Sequence, residues 1–221
     1  MEFTEYLPFW NQLTSSQQLE IQKEISFRKA KKGTLLYNGQ EECLGLLLIR
    51  QGQLRAFLLS PEGREITLYR LFPGDLCLFS ASCMMRSIQF ELSIEAEKDT
   101  EFWLIPAERY KKLCESSAPA ANYINEVMSS RFTEVMWRME QIMWKSFDKR
   151  LADFLATEST LEGTLLLKLT HERIAAHLGT AREVVTRMLR YFQSEGMVKL
   201  SRGTIEITDL KKLEKAAEDD A

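Results

Sequence analysis

The chain is poor in the residue types and patterns that most often announce a chemistry. Its 221 residues include four cysteines, Cys43, Cys77, Cys83 and Cys114, and none stands in a C-x-x-C pair, which argues against a zinc knuckle. It has two histidines, His171 and His177, both near the C-terminal end, so haem or metal ligation elsewhere has no imidazole to use. No apolar run approaches the ~20 residues that cross a bilayer. The opening MEFTEYLPFWNQL is acidic and lacks the basic flank and apolar centre of a signal peptide, so a cytoplasmic location is expected and no membrane partner. No Ser-His-Asp, Cys-His or paired-carboxylate constellation stands at a catalytic spacing, and no glycine-rich phosphate loop is present. Enzymatic function is therefore not expected, nor a metal site. In a reducing compartment the thiols read as free and buried, with Cys77 and Cys83 in CLFSASC the one pair close enough for a redox response.

What the chain does have is concentrated between residues 170 and 194, THERIAAHLGTAREVVTRMLRYFQS. Ile174, Ala175 and Leu178 fall on one face of a helix that Thr170 can cap, and Gly179 breaks the pattern. A second helical pattern follows at once, with Val184, Val185, Met188, Leu189 and Phe192 apolar and Arg182, Glu183, Thr186, Arg187 and Arg190 polar. Two short helices across a tight glycine turn are a helix-turn-helix, whose second helix enters the DNA major groove. Arginine can donate twice to guanine O6 and N7, and glutamate can accept from cytosine N4. Arg182, Glu183 and Arg187 are accordingly the candidate base-reading residues. Net charge over the whole chain is −3, yet residues 165–203 hold seven bases (Lys168, Arg173, Arg182, Arg187, Arg190, Lys199, Arg202) against three acids (Glu172, Glu183, Glu195). A local basic face suffices to attract phosphates, with salt-sensitive binding.

Upstream, Thr14 or Ser15 can cap a helix over QQLEIQKEI. From about residue 28 to 105, short β-type runs alternate with glycine-containing turns at Gly33, Gly39, Gly52, Gly63 and Gly74, as in an antiparallel sandwich or barrel. Pro106 closes that region. A brief helix, AERYKKLCE, leads to a long one over about Ala120–Lys145. Met128, Phe132, Val135, Met139 and Ile142 recur along it in steps of four and three, a heptad-like seam suited to a parallel homodimer. Val127, Met136 and Met143 widen the apolar face, so one side can pack on the chain's own β domain and the other on a second subunit. Beyond Ser146 come an amphipathic helix (FDKRLADFLATES), a short strand (LLLKL), the helix pair, a hairpin over MVKL-SRG-TIEI that reads as the wing of a winged helix, and a last helix capped by Thr208 or Asp209.

With those parts in order, the chain resembles the Crp/Fnr family of bacterial transcription regulators over essentially its whole length. LPFWNQLTSSQ resembles the family's N-terminal helix; KKGTLLYNGQ, LLLIRQGQLRAFLLSPEGREITLYRLFPGD and IEAEKDTEFWLIP its cyclic-nucleotide-binding-type β-roll. ERIAAHLGTAREVVTRMLRYFQSEGMVKLSRGTIEITDLKKL is similar to its winged helix. The resemblance implies an α+β fold. An N-terminal antiparallel double-stranded β-helix (jelly-roll-like) effector domain is expected over 1–118, a dimerisation helix over 119–145, and a C-terminal winged helix-turn-helix over 146–221. It implies a homodimer on a palindromic double-stranded operator, with RNA polymerase as a further partner if the protein activates. Arg182, Glu183 and Arg187 match the base-reading positions of the cyclic-AMP-receptor branch, so half-sites with G·C pairs in the manner of TGTGA are expected, rather than TTGAT. Thr170, His171, Thr180, Thr186, Lys199 and Arg202 are the matching phosphate-contact candidates, with His177 expected at the surface. Ala181 departs from the serine of many relatives.

The input end departs further. Gly74-Asp75 is present, but Leu78-Phe79-Ser80 stands where cyclic-AMP receptors have Gly-Glu-Leu, and the phosphate-binding Arg-Ser positions fall on Phe90 and Glu91. Arg86-Ser87 lies four residues early. A carboxylate and an aromatic ring do not hold a phosphodiester. Cyclic AMP is thus disfavoured and the small-molecule effector or cofactor is unknown. A pocket near Phe79, Ser80, Met84, Met85 and Phe90 could take an apolar or neutral ligand; the alternatives are a redox response through Cys77 and Cys83, or a cyclic-nucleotide-binding module without transcriptional output.

Overall fold

A computed structural model describes residues 2–38, 44–78 and 92–218. Among these the chain forms two compact units: Met1–Leu58 with Leu68–Val135, and Leu59–Thr67 with Met136–Ala221.

The first unit opens with two 3-10 turns, Phe3–Tyr6 and Trp10–Gln12, and helix α1 (Ser15–Glu24). Thr14 caps α1 reciprocally: its hydroxyl accepts from Gln17 N, and the Gln17 side chain accepts from Thr14 N at 2.9 Å. Among the described residues eight strands follow: β1 (Ser26–Ala30), β2 (Leu35–Tyr37), β3 (Leu46–Gln51), β4 (Leu54–Leu59), β5 (Glu65–Leu71), β6 (Leu76–Cys77), β7 (Leu92–Ala96) and β8 (Thr100–Ile105). They form two antiparallel sheets in the orders β1-β8-β3-β6 and β2-β7-β4-β5. Because side chains alternate along a strand, Leu47 and Ile49 of β3 pack inward with Phe102, Leu54, Ala56, Tyr69 and Ile94, while Leu46 and Leu48 pack on the other face with Phe9, Ile21 and Tyr110. Covered on both faces, β3 reads as an unbroken apolar run. Gly52, at φ +95°, makes the β3–β4 turn; a Cβ there would overlap the Asp99 carbonyl and the Thr100 backbone, so no other residue fits.

Helix α2 (Ala107–Ser116) and helix α3 (Ala118–Trp144) as far as Val135 complete the unit, the rest of α3 belonging to the second; α3 is ~40 Å long at 1.5 Å per residue. The apolar seam divides. Met128 and Val135 are half-buried against the β-sheet core, whereas Phe132 is 67% exposed and Met136, Met139, Ile142 and Met143 are also exposed. Between Met128 and Val135, on the same helical face, lies Arg131, whose side chain is 9% exposed. It ion-pairs with Asp75 at 3.0 Å and Glu134 at 2.7 Å, and its guanidinium lies 5.2 Å from the Tyr69 ring. Burial opposes its charge, but the two carboxylates outweigh that and hold its pKa above the ordinary arginine value. Asp75 also accepts from Phe72 N at 2.7 Å, so the Pro-Gly-Asp turn and α3 are joined through one carboxylate.

The second unit contains α4 (Phe147–Glu162), β9 (Leu166–Leu167), α5 (His171–Leu178), α6 (Arg182–Ser194), β10 (Val198–Ser201), β11 (Thr204–Ile207) and α7 (Leu210–Ala217). The LLLKL stretch contributes a strand of two residues, paired with β11 in the sheet order β10-β11-β9. Leu151, Leu155, Ile174, Val185, Leu189, Phe192, Ile205 and Leu213 form its core. Asp209 caps α7, accepting from Lys212 N at 2.9 Å. Lys212 in turn donates to the Glu195 carbonyl at 2.6 Å and tethers α7 to the end of α6.

Candidate nucleic-acid interface

The joint between α5 and α6 sets the direction of the second helix. Thr170 caps α5, accepting from Arg173 N at 3.1 Å, and Gly179 ends it in the left-handed region at φ +67°. Thr180 N then donates to the Ala175 carbonyl, closing the turn at 3.1 Å. Ala181 caps α6 without a side-chain acceptor, where serine would supply one. Segment Leu59–Thr67, part of the same unit, packs on this joint: Ile66 bridges Leu178, and Thr67 Oγ1 lies 2.9 Å from Nδ1 of His177. His177 is only 4% exposed and its ring lies 5.2 Å from that of Phe154, so the surface position expected for it is corrected. Its place on the inner face at i+3 from Ile174 was visible in the sequence; its hydrogen-bond partner, 110 positions earlier, was not.

On α6, Val185, Leu189 and Phe192 are buried, and Arg182, Glu183 and Arg187 are exposed on its first two turns. The three base-reading candidates therefore stand together on the solvent side of the helix. Gln193 accepts from Leu200 N at 2.9 Å and ties α6 to the wing. Lys199 is exposed on β10, 3.9 Å from Glu206, and Arg202 is exposed at the wing's tip. A cleft between α5, α6 and the wing is lined by Thr170, His171, Arg182 and Arg202. Thr180 is half-buried beside the turn. Thr186 is half-buried: its hydroxyl donates to the Arg182 carbonyl at 2.9 Å and meets Nδ1 of His171 at 2.8 Å.

The expected effector residues Phe79, Ser80, Met84, Met85 and Phe90, together with Cys83, lie outside the described residues. Cys77 is buried in the β-sheet core. Burial pushes the half-buried Cys114 thiol up to about 11. Arg131, which reasoning from the sequence missed, had a signal: it sits three residues after Met128 and four before Val135, on the face turned to the β domain.

Residues 149–216 match the Crp-like helix-turn-helix domain family and residues 27–117 the cyclic nucleotide-binding domain family. A crystal structure of a transcriptional regulator of the Crp/Fnr family from Eubacterium rectale ATCC 33656 is 60% identical, over 96% of this chain and 99% of that one, with a TM-score of 0.94. The chain belongs to the Crp/Fnr family. More distant Crp/Fnr relatives include the cyclic AMP receptor protein of Thermus thermophilus, 28% identical over 78% of this chain and 79% of that protein. The transcriptional regulator SdrP of the same organism is 28% identical over 77% and 82%. This Crp/Fnr chain is thus a DNA-binding transcription regulator with a cyclic-nucleotide-binding-like domain, in a family of regulators rather than enzymes. Among the described residues no helix is long and apolar enough to cross a membrane.

Proposed function

We propose that this Crp/Fnr regulator binds, as a parallel homodimer, a palindromic operator whose half-sites contain G·C pairs in the manner of TGTGA. The observation that carries this reading is the outward presentation of Arg182, Glu183 and Arg187 at the N-terminal end of α6, above a face buried through Val185, Leu189 and Phe192. Arginine at two of the three positions favours guanine, and glutamate favours cytosine. Thr170, His171, Thr180, Lys199 and Arg202 surround that surface and would fix its register on phosphates, which carry no sequence information themselves. The exposed stripe of Phe132, Met139 and Ile142 on α3 supports the dimer, because exposed large apolar side chains at helical spacing favour a partner helix. A two-fold dimer places its recognition helices about 34–36 Å apart, one turn of DNA.

The effector is a separate matter. On the β-domain side, α3 presents Met128, Arg131 and Val135, with Arg131 already paired to Asp75 and Glu134. With Phe90 and Glu91 standing where a cyclic phosphate would be held, we favour a ligand other than cyclic AMP. Selection of bound duplexes from random DNA by the full chain tests the operator. Enrichment of an inverted repeat with G·C pairs in each half is expected; enrichment of TTGAT half-sites, or none at all, overturns the reading.

A further inference from the structure

Thr186, on the recognition helix, turns its hydroxyl toward the start of α5. Its Oγ1 is 2.9 Å from the Arg182 carbonyl oxygen and 2.8 Å from Nδ1 of His171. A hydroxyl has one hydrogen, and a carbonyl has none to give. With the Thr186 hydrogen on the Arg182 carbonyl, the hydrogen in the second contact has to come from His171 Nδ1. The neutral imidazole is therefore the Nδ1–H form, and its Nε2 is a bare lone pair. Such a nitrogen accepts hydrogen bonds and repels a phosphate oxygen. Adding a proton reverses that: Nδ1 keeps its bond to Thr186, and Nε2 becomes a cationic donor.

The surroundings set the cost of that proton. His171 is half-buried and lines the cleft between α5, α6 and the wing. Around it stand Glu172 and Arg173 on α5, Arg182 and Arg190 on α6, and Arg202 on the wing. Burial, and then Arg182 and Arg190, hold the imidazole below its ordinary range, so the free protein carries it neutral near neutral pH. A phosphodiester brought into the cleft supplies the negative charge that the surrounding guanidinium groups lack.

We propose that His171 contacts the operator backbone as an imidazolium, taking up a proton as DNA binds, and that Thr186 is the positioning residue that holds its Nδ1 and presents Nε2. This rests on the reading of α6 as the base-reading helix. Thr186 then acts from within and is not itself a phosphate contact, because its one hydrogen is already committed. The sign follows from linkage. Binding raises the pKa of His171, so the added affinity is full below the free-state pKa and is lost as pH rises through the bound-state pKa. One proton per subunit gives at most about a tenfold change per pH unit for each half-site.

The test is operator affinity of the full chain by fluorescence anisotropy at constant ionic strength, between about pH 8 and about pH 6. The duplex is the one enriched from random DNA. Wild type is expected to tighten about threefold or more per half-site as pH falls across this range. His171→Gln is expected to bind with a flat profile near the weak, alkaline limit, and His171→Arg with a flat profile near the tight, acidic limit. Thr186→Val should lose most of the acid enhancement, and Thr186→Ser should restore it. A flat wild-type profile, or the same slope in His171→Gln, overturns the proposal. Absence of operator binding by wild type at every pH overturns the base-reading assignment instead. If either substitution perturbs folding, nitrogen-15 imidazole spectra of the wild type decide the point: a neutral Nδ1–H form is expected for His171, and a neutral Nε2–H form overturns the proposal.

Discussion

Replacing Gly179 by alanine adds one methyl group at the joint between α5 and α6, and its cost divides into two separable parts. The first is conformational. Gly179 has φ +67°, and an L-residue in the left-handed region costs about 1–2 kcal/mol. The second is steric. The new Cβ would lie 2.7 Å from Cδ1 of Ile66, 3.1 Å from its Cγ1 and 3.2 Å from its Cβ. The tip of Ile66 can rotate away, but the two atoms behind it cannot follow freely, and overpacking of this kind costs about 1–3 kcal/mol. Gly163 supplies the control. It ends α4 at φ +63° and a Cβ there meets nothing within 4 Å, so Gly163→Ala carries the conformational part alone.

Gly163→Ala is therefore expected to lower the stability of the full chain by about 1–2 kcal/mol in urea unfolding, and Gly179→Ala by about 2–5 kcal/mol. Ile66→Val removes Cδ1, the closest atom, and Ile66→Ala leaves only Cβ. In the Gly179→Ala background these should relieve the steric part in that order, seen as a coupling energy in a double-mutant cycle. Equal costs at Gly163 and Gly179, or no coupling with Ile66, would refute the claim that the segment Leu59–Thr67 buttresses the helix-turn-helix joint.

Three further outcomes follow from the same geometry. Leu189→Ala empties a site with 0% exposure in the core of the second unit and should cost about 2–5 kcal/mol in urea unfolding; a loss well under 1 kcal/mol would show that α6 is not held by that face. Arg187→Ala should weaken binding to the selected operator by about 1–3 kcal/mol while leaving non-specific duplex affinity nearly unchanged, and an equal loss on both duplexes would make Arg187 a phosphate contact. On α3, Phe132→Asp should convert a dimer to monomers in sedimentation without unfolding the chain, since Phe132 is exposed. Met128→Asp, which meets the β-sheet core, should lower thermal stability instead.

Local pattern made most of the output end readable. The spacing of Val185, Leu189 and Phe192 defines one face of α6, and that face excludes Arg182, Glu183 and Arg187 from the core without any long-range information. The cap at Thr14, the break at Gly179 and the wing hairpin are likewise short-range features, each decided within about four residues. His177 was misread because its partner is remote. An imidazole at a helix end looks like a surface group until Thr67 and Phe154 arrive from other elements to satisfy and cover it. The contacts of Thr186 are hidden in the same way: a threonine on a polar helix face shows no sign that its hydroxyl meets both the Arg182 carbonyl and Nδ1 of His171.

Arg131 poses the sharper question of why a charged residue sits on an inward face at all. Taking an unpaired guanidinium out of water costs several kcal/mol, and a methionine or leucine between Met128 and Val135 would avoid that cost. The compensation is specific rather than large. Glu134 lies one turn along α3 and moves with Arg131, but Asp75 comes from the Pro-Gly-Asp turn and Tyr69 from β5, so those two contacts form only when α3 holds one register against the β domain. An apolar contact tolerates sliding by a fraction of a turn, whereas this one does not, because displacement separates the buried charge from Asp75. The two stripes of α3 therefore have different tasks. On the proposed dimer reading, the exposed stripe of Phe132, Met139 and Ile142 would offer area to a second helix, and the stripe of Met128, Arg131 and Val135 would fix where along the helix that area is presented.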